Sequence, residues 1–195
     1  MSSRAAITTI DGVGSTVDIT NQVKVETLAE VYRRVHAHDL HLVDHRAPTV
    51  EERLQWTVDA PGFEAALGYV DGYLVGAVAG CPLPPETLWW RDLTAADDPD
   101  LAVEWPGRTF AVCEAFVLPE FRRHRLGIRM TTELLTRRGE ERVCLAVAET
   151  NTRVWHALQR TGFRHAGGTV GVRGGRCSPV VPDPPGAASA GNRVR

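Results

Sequence analysis

Two short stretches of this 195-residue chain carry side chains suited to chemistry. The first is Glu114, the only charged residue in the apolar run 110–117. A carboxylate inside such a run must be paired, protonated or used. Used, it takes a proton from a reacting group as a general base; the plain alternative is a structural ion pair. The second stretch holds Arg122, Arg123, Arg125 and Arg129 around Gly127, at the start of a helical pattern. A helix dipole disfavours cations at that end. The clustering makes sense if an anion fills the site, because helix N-terminal amides bind phosphates and arginine adds bidentate contacts. Each charge-assisted bond contributes about 1.5–3 kcal/mol. A solvated basic face is the alternative.

The elements that must position these residues read as follows. Residues 108–117 form a strand, and its two apolar faces are those of a strand buried on both sides. Strict alternation puts Phe110, Val112, Glu114 and Phe116 on one face. Residues 127–138 form a helix, 143–148 a strand, and 152–161 a helix closed by Gly162. Upstream, β-like pieces at 5–10 and 16–20 flank a Gly-Val-Gly turn. A helix runs from Gln22 to about His38, with Val25, Leu28, Val31 and Tyr32 on one side, and a second runs over 50–58. Two antiparallel strands, 63–69 and 73–79, turn at Asp71-Gly72. A final hairpin is expected over 163–172. Residues 1–178 are expected to form one domain, and 179–195, rich in Pro, Gly and Ala, a disordered tail.

Bulk properties exclude several classes. A net charge of −2 is unlike that of a general nucleic-acid binder. No apolar run approaches the roughly 18 residues of a membrane span, and no leader pattern follows Met1. Cys81, Cys113, Cys144 and Cys177 form no zinc-type pair, three of them sit within apolar runs, and a reducing cytoplasm is the natural reading. Lys24 is the only lysine among many arginines, alanines and valines, a bias of GC-rich bacterial coding.

Val117-x-Pro119-x-Phe121-Arg122-x-x-Arg125-x-Gly127 is followed by a second block, Leu145-x-Val147-x-x-x-Asn151, and then by Gly162-Phe163. Through these motifs, the first of them close to an acetyl-CoA signature, residues 112–163 resemble the GNAT family of N-acetyltransferases. The signature's first glycine is replaced by Arg125. The resemblance implies an α/β fold with a central, mostly antiparallel sheet and helices on both faces. It implies an acyl-CoA-dependent N-acyltransferase, with acetyl-CoA or another acyl-CoA as co-substrate and an amine, such as a small molecule, attacking the thioester directly. The strand before the turn splays from its neighbour, and the pantetheine arm lies in that gap against Ala115, Phe116 and Val117. Arg122 fits the signature's first position. The amides of Arg123, His124, Arg125, Leu126, Gly127 and Ile128 wrap the pyrophosphate. Asn151 contacts the arm near the thioester, and Glu114 is the candidate base. The family's usual tyrosine acid is replaced by Leu158, with Tyr32, Tyr69 or Tyr73 as other proton sources. Homodimerisation stays open.

Leu158 also admits rivals: a CoA-binding module without transferase activity, or a different reaction on an acyl-CoA. His36, His38, His41, Asp44 and His45 lack a third-ligand motif for a metal; His41, Asp44 and His45 are better read as acceptor contacts or exposed polar residues. Trp89, Trp90 and Trp105 flank Asp92, Asp97, Asp98, Asp100 and Glu104. They form either surface packing with a solvated loop or a lid that attracts a cationic amine.

Overall fold

The structure, a computed structural model, describes residues 8–10, 13–38, 40, 48–91, 93, 99–148, 151–160, 162–165, 169–170 and 176–182. A hairpin of β1 (Thr8–Ile10) and β2 (Val13–Thr20) leads into α1 (Val25–Val35) and α2 (Val50–Val58). The buried side of α1 carries Val25, Leu28, Ala29, Val31 and Tyr32, the side its periodicity predicts. α2 starts at a reciprocal cap: the Thr49 hydroxyl accepts from the Glu52 amide, and the Glu52 carboxylate accepts from the Thr49 amide.

β3 (Glu64–Val70) and β4 (Tyr73–Pro82) form the second hairpin. Asp71 at φ 49° and Gly72 at φ 81° make the left-handed turn that matches strand twist. Then come β5 (Thr109–Val117), α3 (Leu126–Leu135), β6 (Arg142–Ala148), α4 (Thr152–Gln159), β7 (Phe163–His165), β8 (Thr169–Val170) and β9 (Arg176–Pro182). The sheet order is β1-β2-β3-β4-β5-β6-β9-β7, with β8 also on β9. Every pairing is antiparallel except β5 with β6.

α3 lies against β2, β3 and β4. It comes so near that a Cβ on Gly68 would stand 2.7 Å from Met130 Sδ. α1 packs on β4 and β5, and α2 on β4, across the opposite face. The mixed sheet with helices on both faces is therefore the expected architecture.

Three local expectations differ. Among the described residues of 163–172, β7 and β8 each pair with β9 and not with each other. β9 also runs through Pro182, four residues into the stretch expected to be a tail, because it fills the edge beside β6. The rest of that stretch lies outside the described residues.

The third concerns β5. Ala79 pairs with Glu114 but Gly80 pairs with Val112, so Cys113 is an extra residue on β5. This bulge breaks the alternation. Glu64, Gly80 and Val112 form one cross-strand row, and Ala65, Ala79 and Glu114 the next. Glu64 binds Arg138, just past α3, so Val112 shares the α3 face. Glu114 and Phe116 turn to α1 and α2, and so do not share a face with Phe110 and Val112.

Candidate active site

β5 and β6 form a fork. They pair only from Thr109 with Arg142 to Val112 with Leu145. Beyond that row β5 stays bound to β4 through Val117, while β6 turns its far edge to β9. The bulge at Cys113 sits at the branch point, and bulges bend the strand that carries them. The β6-facing edge of residues 115–117 carries no ladder to β6 among the described residues. Ala115, Phe116 and Val117 lie on it; Phe116 is buried and Ala115 exposed.

The fork opens toward the basic turn. Leu118 N–H donates to Val75 O at 2.9 Å, and a 3-10 turn follows over Pro119–His124. Arg125 then takes φ 55°, in the left-handed region, and begins α3. This accounts for the glycine usual at this position: L-residues strain there. The first i→i−4 bond runs from Arg129 N–H to Arg125 O at 3.0 Å. The amides of Leu126, Gly127 and Ile128 precede it, at the positive end of the helix.

Gly127 is informative because the fold does not need it. A Cβ there would meet only Val117 Cγ2, at an ordinary 3.5 Å. Its missing side chain therefore leaves room for something outside the chain, beside the end of β5.

The arginines divide. Arg122 and Arg125 are exposed, and Arg122 Nε donates to Val117 O at 3.0 Å. Arg129 instead binds Glu133 at 2.7 Å and Ser15 on β2, so it braces α3 against the sheet.

Glu114 is 5% exposed. Its Oε1 accepts from Arg53 Nε of α2 at 2.7 Å. The Arg53 guanidinium lies 4.8 Å from the Tyr32 ring centre, and Tyr32 meets Phe116 edge-on at 5.5 Å. Burial works against the charge of Arg53, but Glu114 outweighs it and its pKa lies above the ordinary value. The remaining guanidinium nitrogens, Nη1 and Nη2, are buried, and Tyr32 adds to the rise in the Arg53 pKa. Arg53 is the site residue that sequence reasoning missed. Nothing in the spacing of α2 points to a partner 61 positions away.

Asn151 is the N-cap of α4; its Oδ1 accepts from Val154 N–H at 3.4 Å. Leu158 is half-buried on the same helix. Of the three tyrosines considered as proton sources, only Tyr32 stands beside Phe116 and Arg53. Tyr73 is 77% exposed on the β3–β4 turn. Tyr69 lies on β3, where burial and then the charge of Asp18 raise its phenol pKa.

His41, Asp44, His45, Asp92, Asp97 and Asp98 lie outside the described residues. The described part of the tryptophan-rich connection is packed at a few points and exposed elsewhere: Leu88, Val103 and Trp105 face outward, whereas Trp90, Leu101 and Glu104 are buried. Trp90 and Leu101 join Leu83, Ala111 and Cys144 in a small second core. Glu104 is buried there and accepts from Trp90 Nε1, Thr109 Oγ1 and Arg142 at 2.6–2.8 Å.

The model of the acetyltransferase (GNAT) family matches residues 27–163. No curated protein sequence matches the chain. Among solved structures, PaiA N-acetyltransferase from Thermoplasma acidophilum in complex with coenzyme A superposes with TM-score 0.53 at 11% identity, covering 85% of this chain and 98% of its own. Aminoglycoside 6'-acetyltransferase type Ii gives 0.56 at 13% identity, covering 84% and 94%. An aminoglycoside 6'-N-acetyltransferase complexed with coenzyme A gives 0.54 at 12%, again covering 84% and 94%. At such identities the likeness is one of fold.

Proposed function

The chain belongs to the acetyltransferase (GNAT) family, and from that premise we propose that it moves an acetyl or other short acyl group from coenzyme A to the amine of a small molecule. The observation that carries this reading is the fork: β5 parts from β6 after Val112, stays on β4, and leads straight into the arginine-rich turn. The co-substrate fits these residues. Ala115, Phe116 and Val117 offer backbone to the pantetheine amides. Arg122, Arg123, His124, Arg125, Leu126, Gly127 and Ile128 hold the pyrophosphate through amides and guanidinium charge. Asn151, its Oδ1 engaged as a cap, presents its amide Nδ2 to the arm. Acyl-CoA supplies an activated carbonyl with a thiolate leaving group.

The chain's part in the chemistry is positioning and proton transfer. An alkyl ammonium titrates near pH 10 and must lose a proton to attack. Glu114 takes that proton, directly or through water, with Arg53 fixing its carboxylate. Leu158 cannot supply an acid, and a thiol with a pKa near 8.5 leaves tolerably without one. Tyr32 is the phenol best placed to assist. The setting proposed is a bacterial cytoplasm.

One second reading has a specific observation in its favour. Glu114 is buried and ion-paired to Arg53, and Leu158 stands where an acid is usual, as in a module that binds CoA without turning it over. Free-thiol release from acetyl-CoA separates the readings. Release that requires an added amine supports transfer. Tight CoA binding with no release supports the module, and release without amine supports a different acyl-CoA reaction.

A further inference from the structure

One cavity of the molecule has no part in the proposed mechanism. Its volume is about 390 Å³, within the roughly 300–1,000 Å³ of small-molecule pockets. The end of α1, the β3–β4 turn and the 3-10 turn after β5 enclose it. Val70, Leu74 and Val75 line it from the hairpin, and Leu118 and Phe121 from the 3-10 turn. The bond from Leu118 N–H to Val75 O ties these two walls together. Arg34, Asp71, Tyr73 and Glu120 supply its polar groups. The cavity lies on the β4 side of β5, away from the β6-facing edge. Leu118 is four residues past Glu114, about 13 Å along an extended chain, and the buried Phe116 stands between them. A molecule seated here is therefore not presented to the proposed base.

We propose that this cavity binds a small organic cation, an ammonium on an apolar or aromatic body, and that its occupancy is coupled to coenzyme A through the turn the two would share.

The lining selects that chemistry. Two carboxylates, Asp71 and Glu120, accompany one guanidinium, Arg34, so the net charge is negative. Arg34 holds Glu120 only loosely: Nη2 is 3.7 Å from Oε1, and the side chains are 56% and 53% exposed. Exposed pairs of this kind contribute little, so Glu120 is free to turn to a ligand. Asp71 is set in place by its turn, where its N–H donates to Gly14 O at 3.2 Å. Tyr73 is mostly exposed at the mouth and adds an aromatic face, which attracts ammonium ions. The apolar walls suit the body that carries the charge.

The coupling follows from the shared wall. Leu118, Glu120 and Phe121 belong to the turn that leads into α3. The Phe121 ring lies 6.4 Å from the His124 ring, next to Arg125 at the start of α3. A ligand that holds Phe121 steadies the amides that follow, and CoA in the turn steadies Phe121. Such coupling is reciprocal, so each partner tightens the other by the same factor. The coupling rests on the place proposed above for CoA. The cation site does not, and neither needs acyl transfer.

The test is calorimetry of the full-length protein with 2-phenylethylammonium, 2-phenylethanol and 3-phenylpropionate, with amide NMR spectra to locate the contact. No acyl-CoA is present. The ammonium should bind at least about tenfold tighter than the alcohol or the carboxylate, the worth of one charge-assisted contact, and shift amides within residues 70–75 and 118–121. Asp71→Asn with Glu120→Gln should abolish that preference; both changes keep shape, and Asn tolerates the left-handed backbone at 71. Saturating ammonium should tighten CoA by about fivefold or more. No binding, equal affinity for the three probes, a preference that survives the double variant, or shifts confined to other elements overturns the cation site. Should the double variant not fold, the probe series and the shifts on the unaltered protein still decide it. Ammonium binding in the cavity with unchanged CoA affinity overturns the coupling. If CoA itself does not bind, the placement of the co-substrate fails, and the probe series still decides the cation site.

Discussion

Arg53 of α2 donates from Nε to Glu114 Oε1 of β5 at 2.7 Å, joining a helix to the strand that lines the proposed CoA slot. The pair is well buried, with side-chain exposures of 13% and 4%. Removing one partner of such a pair leaves a charge without its counterpart and costs about 3–5 kcal/mol. Arg53→Met should therefore destabilise by that order in urea unfolding, and Arg53→Met with Glu114→Leu should recover most of it. Equal losses in the single and double variants would mean that Glu114 does not depend on Arg53.

The same carboxylate is the proposed base. Glu114→Gln, which preserves shape, should depress turnover from about pH 6 to pH 9, in line with the roughly 10²–10⁴-fold worth of a general base. Full turnover over that range removes Glu114 from the chemistry and leaves it a structural anchor.

Gly127 separates folding from binding. A Cβ there meets only Val117 Cγ2 at 3.5 Å, and alanine favours a helix over glycine by about 1 kcal/mol. Gly127→Ala should keep or raise the melting temperature while weakening CoA binding, measured by calorimetry. Unchanged CoA affinity would place the pyrophosphate elsewhere.

Arg125 adopts φ 55°, which costs an L-residue about 1–2 kcal/mol. Arg125→Gly relieves that strain and should leave the protein at least as stable. It should also weaken CoA binding, because an exposed guanidinium leaves the anion site. Stability and affinity moving in opposite directions is the signature to look for.

The pH dependence of folding has a local source. After α3, Arg138 is ion-paired to Glu64 at 3.1 Å and to Glu140, and stacks over Phe110 at 4.4 Å. Burial alone raises the Glu140 pKa, but the Arg138 hydrogen bond and nearby backbone donors outweigh it, and the net direction is down. A carboxylate with a depressed folded pKa contributes stability that is complete above the unfolded value, about 4.3, and lost as pH falls through the folded one. Stability should thus decline below about pH 4.3, and Arg138→Gln should flatten that decline. An acid limb of unchanged slope in Arg138→Gln would put the titration in other groups.

Much of this arrangement is legible in sequence because it is local. The Asp71-Gly72 turn, the Thr49–Glu52 cap and the apolar stripe of α1 are set by neighbours a few residues apart. The run Arg122 to Gly127 marks the turn and the start of α3, where the anion is proposed to sit, in the same way. What escapes is long-range. The bulge at Cys113 appears only when β5 is registered against β4, and it moves Glu114 off the face that alternation assigns. Arg53 needs the packing of α2 over β5 to find Glu114. β9 completes the sheet from a Pro- and Gly-rich stretch whose composition suggests disorder, because an open edge beside β6 outweighs local propensity.

The most direct test is amide hydrogen exchange with and without coenzyme A, read residue by residue. Slowed exchange at residues 113–117 and at Leu126, Gly127 and Ile128, with little change along the β4-bound part of β5 before the fork, is the expected result. Protection confined to other elements, or none despite saturating CoA, would contradict the fork as the co-substrate slot.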